Sequence, residues 1–173
     1  MNKASLKSFH STSEFGKGFY KNHCGPTAIT NLIITDRQLT DDRIVLPEEC
    51  REIFESVASY GRKHLIYNRK YGTTDVFLWL FVKAAFKLWD CRLTPGHRHT
   101  LTPKNAKKYL SKGSFLLVEE FGHPKYGWHQ MVIYGTDEKG RYITADGFES
   151  SPVLLDDKTL GRGLFLEIKH SAR

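Results

Sequence analysis

An α+β fold is the class that this chain of 173 residues predicts, and three observations predict it. Apolar residues recur at helical spacing from Cys24 to about Lys112. From Ser114 onward they switch to short runs of strand-forming residues bounded by turn signals. The two patterns are segregated rather than alternating, so helices come first and an antiparallel sheet second.

Each element has its own signal. Residues 1–21 form a Ser/Lys/Gly-rich entry, flexible over 1–15, with Phe15, Phe19 and Tyr20 as the anchors expected to dock on the domain. Cys24 opens the first helix, expected to run to about Thr35. Gly25 is a flexible break, Pro26 suits a first helical position, and Ala28, Ile29, Leu32 and Ile33 form one apolar stripe. A polar linker, Asp36 to Arg43, leads to Leu46-Pro47-Glu48-Glu49, where a proline and two acids make a good first turn. Ile53, Phe54, Val57 and Ala58 carry the stripe of this second helix, and Gly61 is expected to end it.

After Gly72, Thr73 or Thr74 caps a third helix with Val76, Phe77, Leu80, Phe81, Ala84, Ala85 and Leu88 on one face. Leu78, Trp79 and Val82 make it apolar nearly all round, which predicts a central position in the helical half. Asp90 to Thr100 reads as loop or a short strand. Thr102-Pro103 starts a fourth helix that Gly113 closes. The predicted strands are Ser114 to Phe121, Trp128 to Gly135, Arg141 to Phe148, and the closing run Leu164-Phe165-Leu166-Glu167-Ile168.

Length and composition fit a single domain spanning 1–173 that buries its own core without disulfides or metal. Met1 to Ser13 is polar, with no apolar run that would make a signal peptide or anchor, and the longest apolar run, Val76 to Val82, is too short to span a bilayer. Three widely spaced cysteines, Cys24, Cys50 and Cys91, fit a reducing compartment better than a disulfide framework. The expectation is a soluble cytoplasmic monomer. His97-Arg98-His99 lacks further ligands nearby and reads as a solvated loop, so no metal is expected. The net charge of +7 is spread: Lys104, Lys107, Lys108 and Lys112 on one short helix, Arg62-Lys63 and Arg69-Lys70 around a loop. Without interleaved aromatics these read as solvated faces, and no specific nucleic-acid partner is expected.

The chemistry concentrates at Cys24. Unpaired N–H groups and the positive end of a helix dipole meet a sulfur placed at a helix start, which favours the thiolate. An isolated cysteine before a helix is usually a small buried side chain, so its partners decide. His129 begins the strand Trp128 to Gly135, and Asp146 lies near the end of the next. With a hairpin through Thr136-Asp137-Glu138-Lys139-Gly140, pairing Gly135 with Gly140 continues as Ile133 with Tyr142, Met131 with Thr144 and His129 with Asp146. Directly opposite residues share a face with Cβ atoms ~5 Å apart, so this register sets imidazole beside carboxylate. A one-residue slip would separate them. His129 taken alone also reads as a hydrogen-bonded structural residue, and Asp146 before Gly147 also reads as a turn residue. Asp137 is assigned a turn role only.

Asn22-His23-Cys24-Gly25-Pro26-Thr27-Ala28-Ile29-Thr30-Asn31-Leu32, the helix ending Tyr109-Leu110-Ser111-Lys112-Gly113, then Trp128-His129-Gln130-Met131-Val132-Ile133-Tyr134-Gly135 and Ile143-Thr144-Ala145-Asp146 together resemble bacterial papain-like cysteine peptidases. The chain is most similar to the bacteriocin-leader (double-glycine) peptidases and their stand-alone relatives, from about residue 18 to about 150. The resemblance implies a papain-like fold with the cysteine on an N-terminal helical lobe and His and Asp on a C-terminal sheet lobe. It implies thiol-dependent cleavage of a peptide or related amide and no cofactor. Cys24 would be nucleophile, His129 general base and acid, and Asp146 the residue that orients the imidazole.

One position departs. Six residues before the cysteine the family carries a glutamine that helps hold the oxyanion; here that residue is Gly18. The backbone N–H of Cys24 with Asn22, or with His23, is the expected substitute, since losing one such donor typically costs ~10²–10³ in rate. Tyr126, Trp128 and Phe148 flank the expected pocket or belong to the core. Two other readings keep the same residues: an acyltransferase or transglutaminase-like enzyme that passes the acyl group to an amine, and a weak or inactive binding module, for which Gly18 is the main support.

Overall fold

A computed structural model of the chain describes residues 22–41 and 45–170. The expected anchors Phe15, Phe19 and Tyr20, the Gly18 position, the entry segment and the Asp42-Arg43 end of the linker lie outside these.

The described residues form a mixed α+β structure. Helix α1 spans Cys24–Asp41 and α2 spans Pro47–Lys63. A small hairpin follows, β1 Tyr67–Asn68 with β2 Gly72–Thr73, then a 3₁₀ turn Asp75–Phe77 and helix α3 Leu78–Leu88. Strand β3 Leu93–Leu101 and helix α4 Pro103–Leu110 lead into β4 Phe115–His123, β5 Gly127–Thr136, β6 Tyr142–Ala145, β7 Val153–Leu155 and β8 Gly163–His170. The six long-sheet strands pair antiparallel in the order β3-β8-β4-β5-β6-β7.

The sheet separates two cores, which explains the uninterrupted apolar run of β4. Phe115 and Leu117 face α1, α2 and α3 together with Val132, Tyr134 and Ile168. Leu116 and Val118 face α4, with Leu110, Ile133 and Phe165. Alternate residues of a strand point to opposite faces, so a strand covered on both sides needs apolar residues at every position.

The central helix is α1, not the third helix. Every residue from Gly25 to Asp36 is buried, including Thr30, Asn31 and Thr35, and Thr30 and Thr35 donate their hydroxyls back to the carbonyls of Pro26 and Asn31. The helix therefore continues through the polar stretch expected to be linker. In α3 the buried face is Leu78, Phe81, Val82, Ala85 and Phe86, while Val76, Phe77, Leu80 and Leu88 are exposed. A helix apolar all round gives periodicity no face to choose, and the preceding 3₁₀ turn removes Val76 and Phe77 from it.

Other boundaries moved for local reasons. Thr74 precedes the 3₁₀ turn without a side-chain cap bond, whereas Thr102 accepts from Asn105 N at 3.1 Å and caps α4 as its sequence implies. Gly61 lies inside α2: a Cβ there would meet Phe81 Cζ and Tyr67 Cβ at 2.8 Å, so the glycine permits close packing rather than ending the helix. The Asp90–Thr100 region is mostly β3, a nine-residue edge strand. Pro95 is tolerated there because it lies at an irregularity between Pro95 and Arg98 on the sheet edge. Among the described residues no helix is long and apolar enough to cross a membrane.

Candidate active site

Cys24 is the first residue of α1, partly buried, with its sulfur against the backbone N–H of Gln130 and those of Gly25 and Cys24 itself. Gln130 follows His129 on β5, so this contact brings the helix start to the strand that carries the histidine. Close approach requires Gly25, where a Cβ would fall 2.1 Å from Thr73 Oγ1 and 2.4 Å from Gln130 Oε1. Cys24 and His129 line the same two cavities.

His129 is buried, and its Nε2 lies 2.7 Å from the main-chain oxygen of Asp146. A carbonyl only accepts, so Nε2 carries the proton and the neutral ring keeps its lone pair on Nδ1. The ring stacks between Tyr126, with centroids 5.4 Å apart, and Phe148, at 4.9 Å. Orientation is thus set by one hydrogen bond and two aromatic faces.

The Asp146 carboxylate is spent elsewhere. Oδ2 accepts from Tyr126 Oη at 3.1 Å, and Oδ1 accepts from the backbone of Phe148 at 2.9 Å and Glu149 at 3.1 Å. The reason is register. Asp137 Oδ1 accepts from Lys139 N and Arg141 N and closes the turn at Asp137–Arg141, and a bulge falls between Ile133 and Gly135. Ile133 therefore pairs with Thr144 rather than Tyr142. Asp146 passes beyond the end of β6, and its carbonyl rather than its side chain reaches His129.

Electrostatics at the pair favour neutral partners. Burial pushes the Cys24 thiol up, against the three backbone N–H groups, and the nearby Asp75 charge adds to the rise. Burial lowers His129, opposed by its Asp146 contacts. The helix start alone does not yield a thiolate here, because loss of solvation outweighs it.

Asn22 sits in the left-handed region, with φ 51°, and its Nδ2 donates to the carbonyls of Lys70 at 2.6 Å and Arg69 at 3.3 Å. In this geometry its donors brace α1 to the hairpin loop and none points to an oxyanion. His23 Nδ1 lies 3.1 Å from Thr27 Oγ1, and burial lowers its pKa. Sequence reasoning passed over Gln130 and Asp75. Gln130 Nε2 donates to Asp75 Oδ1 at 3.3 Å, and both line the cavity with Cys24. The signal for Gln130 was its place directly after the histidine.

Among the described residues, no group of three or more His, Cys, Asp or Glu is disposed to hold a metal ion. Arg98 binds the buried Glu119 and His99 packs on Tyr109 and Phe165. The chain matches no protein-family model and no curated protein.

Proposed function

We propose that this protein is a thiol-dependent hydrolase of papain-like architecture that cleaves a peptide or related amide through an acyl-enzyme on Cys24. One observation carries the reading: the first residue of a buried helix and a histidine of fixed tautomer, whose Nδ1 keeps the lone pair, open onto shared cavities. The helical first half and antiparallel second half support the family resemblance.

In this reading Cys24 Sγ attacks the carbonyl carbon as its proton passes to His129 Nδ1. The tetrahedral oxyanion collapses, the C–N bond breaks, and the imidazolium protonates the departing amine. Water, deprotonated by the same imidazole, then attacks the thioester, releasing the carboxylic acid and returning the proton to sulfur. The main-chain oxygen of Asp146 holds Nε2–H throughout. Asp146 belongs to the triad by this carbonyl, and Asn22 supports the site by bracing the helix start.

The test is labelling by a peptidyl vinyl sulfone, with the modified residue mapped, between pH 5 and pH 9. Cys24 should label first, with Cys50 and Cys91 far slower. Burial raises the Cys91 thiol to about 12. His129→Ala should slow Cys24 labelling by ~10²-fold or more. The rate should rise with pH through a value below 6.5, the ordinary histidine value, because burial lowers His129. Labelling of Cys24 no faster than of the other two cysteines, and indifferent to His129→Ala, would overturn the reading.

A further inference from the structure

The two cavities beside Cys24 and His129 differ in chemistry. One is lined by Tyr126, Trp128, Phe148 and Gly147, with His23 and Thr27. The other, about 480 Å³, is lined by three carboxylic residues, Asp75, Glu119 and Glu120, and among the described residues by no lysine or arginine. The chain as a whole carries 26 Lys+Arg and a net charge of +7. Tyr71, Phe121 and Trp128 also line this second cavity; Lys70 Nζ already lies 5.0 Å from the Tyr71 ring centre, and the Phe121 and Trp128 rings are of the kind that favour a further cation.

Its acceptors outnumber its donors. Gln130 is only 6% exposed, its Nε2 is committed to Asp75, and its Oε1 has no hydrogen-bond partner among the described residues. Thr73 Oγ1 is likewise unpartnered. Glu120 follows Glu119 on β4 and so points to the other face of the sheet, where its carboxylate packs against Gly161 and His123 and supplies no acceptor to the cavity. Glu119 is held by Arg98, a residue outside the cavity lining. Unmet buried acceptors of this kind are costly, and a donor that carries positive charge relieves them.

We propose that this cavity binds a cationic group of the substrate, an ammonium or guanidinium, so that the amide attacked by Cys24 belongs to a basic peptide or basic amide. The substrate assignment rests on the hydrolase reading; the cation site does not. A bound cation beside Asp75 would also offset the negative charge that helps hold the Cys24 thiol protonated.

The experiment compares two methanethiosulfonates of similar size, one bearing a trimethylammonium and one a sulfonate, reacting with the intact protein at low ionic strength above pH 8. Burial raises Glu119 to about 7, so it is ionised there. The ratio of cationic to anionic reagent rates is read at each cysteine by mass spectrometry. At Cys24 it should exceed the ratio at Cys50 and Cys91 by about tenfold or more, and should collapse in high salt. Asp75→Asn should lower it several-fold while leaving the ratio at the other cysteines unchanged.

A ratio at Cys24 near or below one, as the net positive charge alone would give, overturns the proposal. So does a ratio indifferent to both salt and Asp75→Asn, or no reaction of Cys24 with either reagent. Mixed-disulfide formation, in which the thiolate displaces methanesulfinate, needs an accessible thiolate but no acyl transfer. A reversed ratio therefore leaves the nucleophile assignment standing, and slow, His129-independent vinyl sulfone labelling leaves the cation site standing.

Discussion

Asp146 shows how one residue can hold a neighbouring ring by its backbone while its side chain is bound elsewhere. Its carbonyl accepts from His129 Nε2 while its carboxylate is bound by Tyr126 Oη and two backbone N–H groups. Asp146→Asn keeps the carbonyl, and the asparagine oxygen can still accept from Phe148 and Glu149. Cys24 labelling or turnover should fall by less than about tenfold. A carboxylate that itself oriented the imidazole would make the same change cost ~10⁴. Kinetics of the Asn variant therefore separate the two roles. The sequence placed Cys24, His129 and Asp146 in one neighbourhood, but it could not show which Asp146 atom arrives. That depended on where the Asp137 carboxylate closes the turn and on a single bulged residue.

At the scale of elements, helix starts were more legible than helix ends. Pro47 with Glu48 and Glu49, and Thr102 with Pro103, mark their helices where the structure starts them. The ends follow a rule that composition hides. In α2, Ile66 N donates to Gly61 O at 2.9 Å and Leu65 N to Arg62 O at 3.2 Å; in α3, Cys91 N donates to Phe86 O at 2.9 Å and Asp90 N to Lys87 O at 3.4 Å. Both are Schellman closures, with Leu65 at φ 58° and Asp90 at φ 50° in the position that glycine usually takes. Gly113, at φ 83°, fills that position after α4, and only there did the expected glycine mark the stop. Leu65 is 87% exposed, so it gains little packing in return for a left-handed backbone. Leu65→Gly should stabilise the fold by ~0.5–1 kcal/mol in urea unfolding, the relief of left-handed strain exceeding the added freedom of the unfolded chain. Asp90→Gly should gain less, because aspartate tolerates this region better.

For the whole molecule, buried ionisable groups make stability depend on pH in opposite senses. Burial raises Glu119 and Glu120 from 4.5 to about 7 and about 8, so the native state keeps protons that the unfolded chain has released. Their stabilising effect is complete below pH 4.5 and is lost as pH rises toward about 8. His129 and His23 are lowered by burial, so the unfolded chain takes up protons first, and stability is lost as pH falls below 6.5. Stability should therefore crest between these limits and decline toward pH 8. Glu120→Gln should remove much of that alkaline decline, on the order of 2–4 kcal/mol between pH 4.5 and pH 8, and change little at the acid end. Denaturant titrations across pH would measure it. None of this could be read from residue order: Glu119 and Glu120 look like a solvated pair at a strand end until β8 and the Gly161 loop cover them.

The long burial of α1 bears on when the site comes into being. Cys24 stands at the front of the described chain and meets a strand that begins more than a hundred residues later. Non-local contacts of this kind form late, after the cost of closing the intervening chain has been met. During synthesis the Cys24 thiol is made long before His129, and neither cavity exists until β5 docks on the helix. An unfinished chain therefore carries Cys24 without either cavity and without the burial that raises its thiol, so the protonation of this sulfur changes as folding completes.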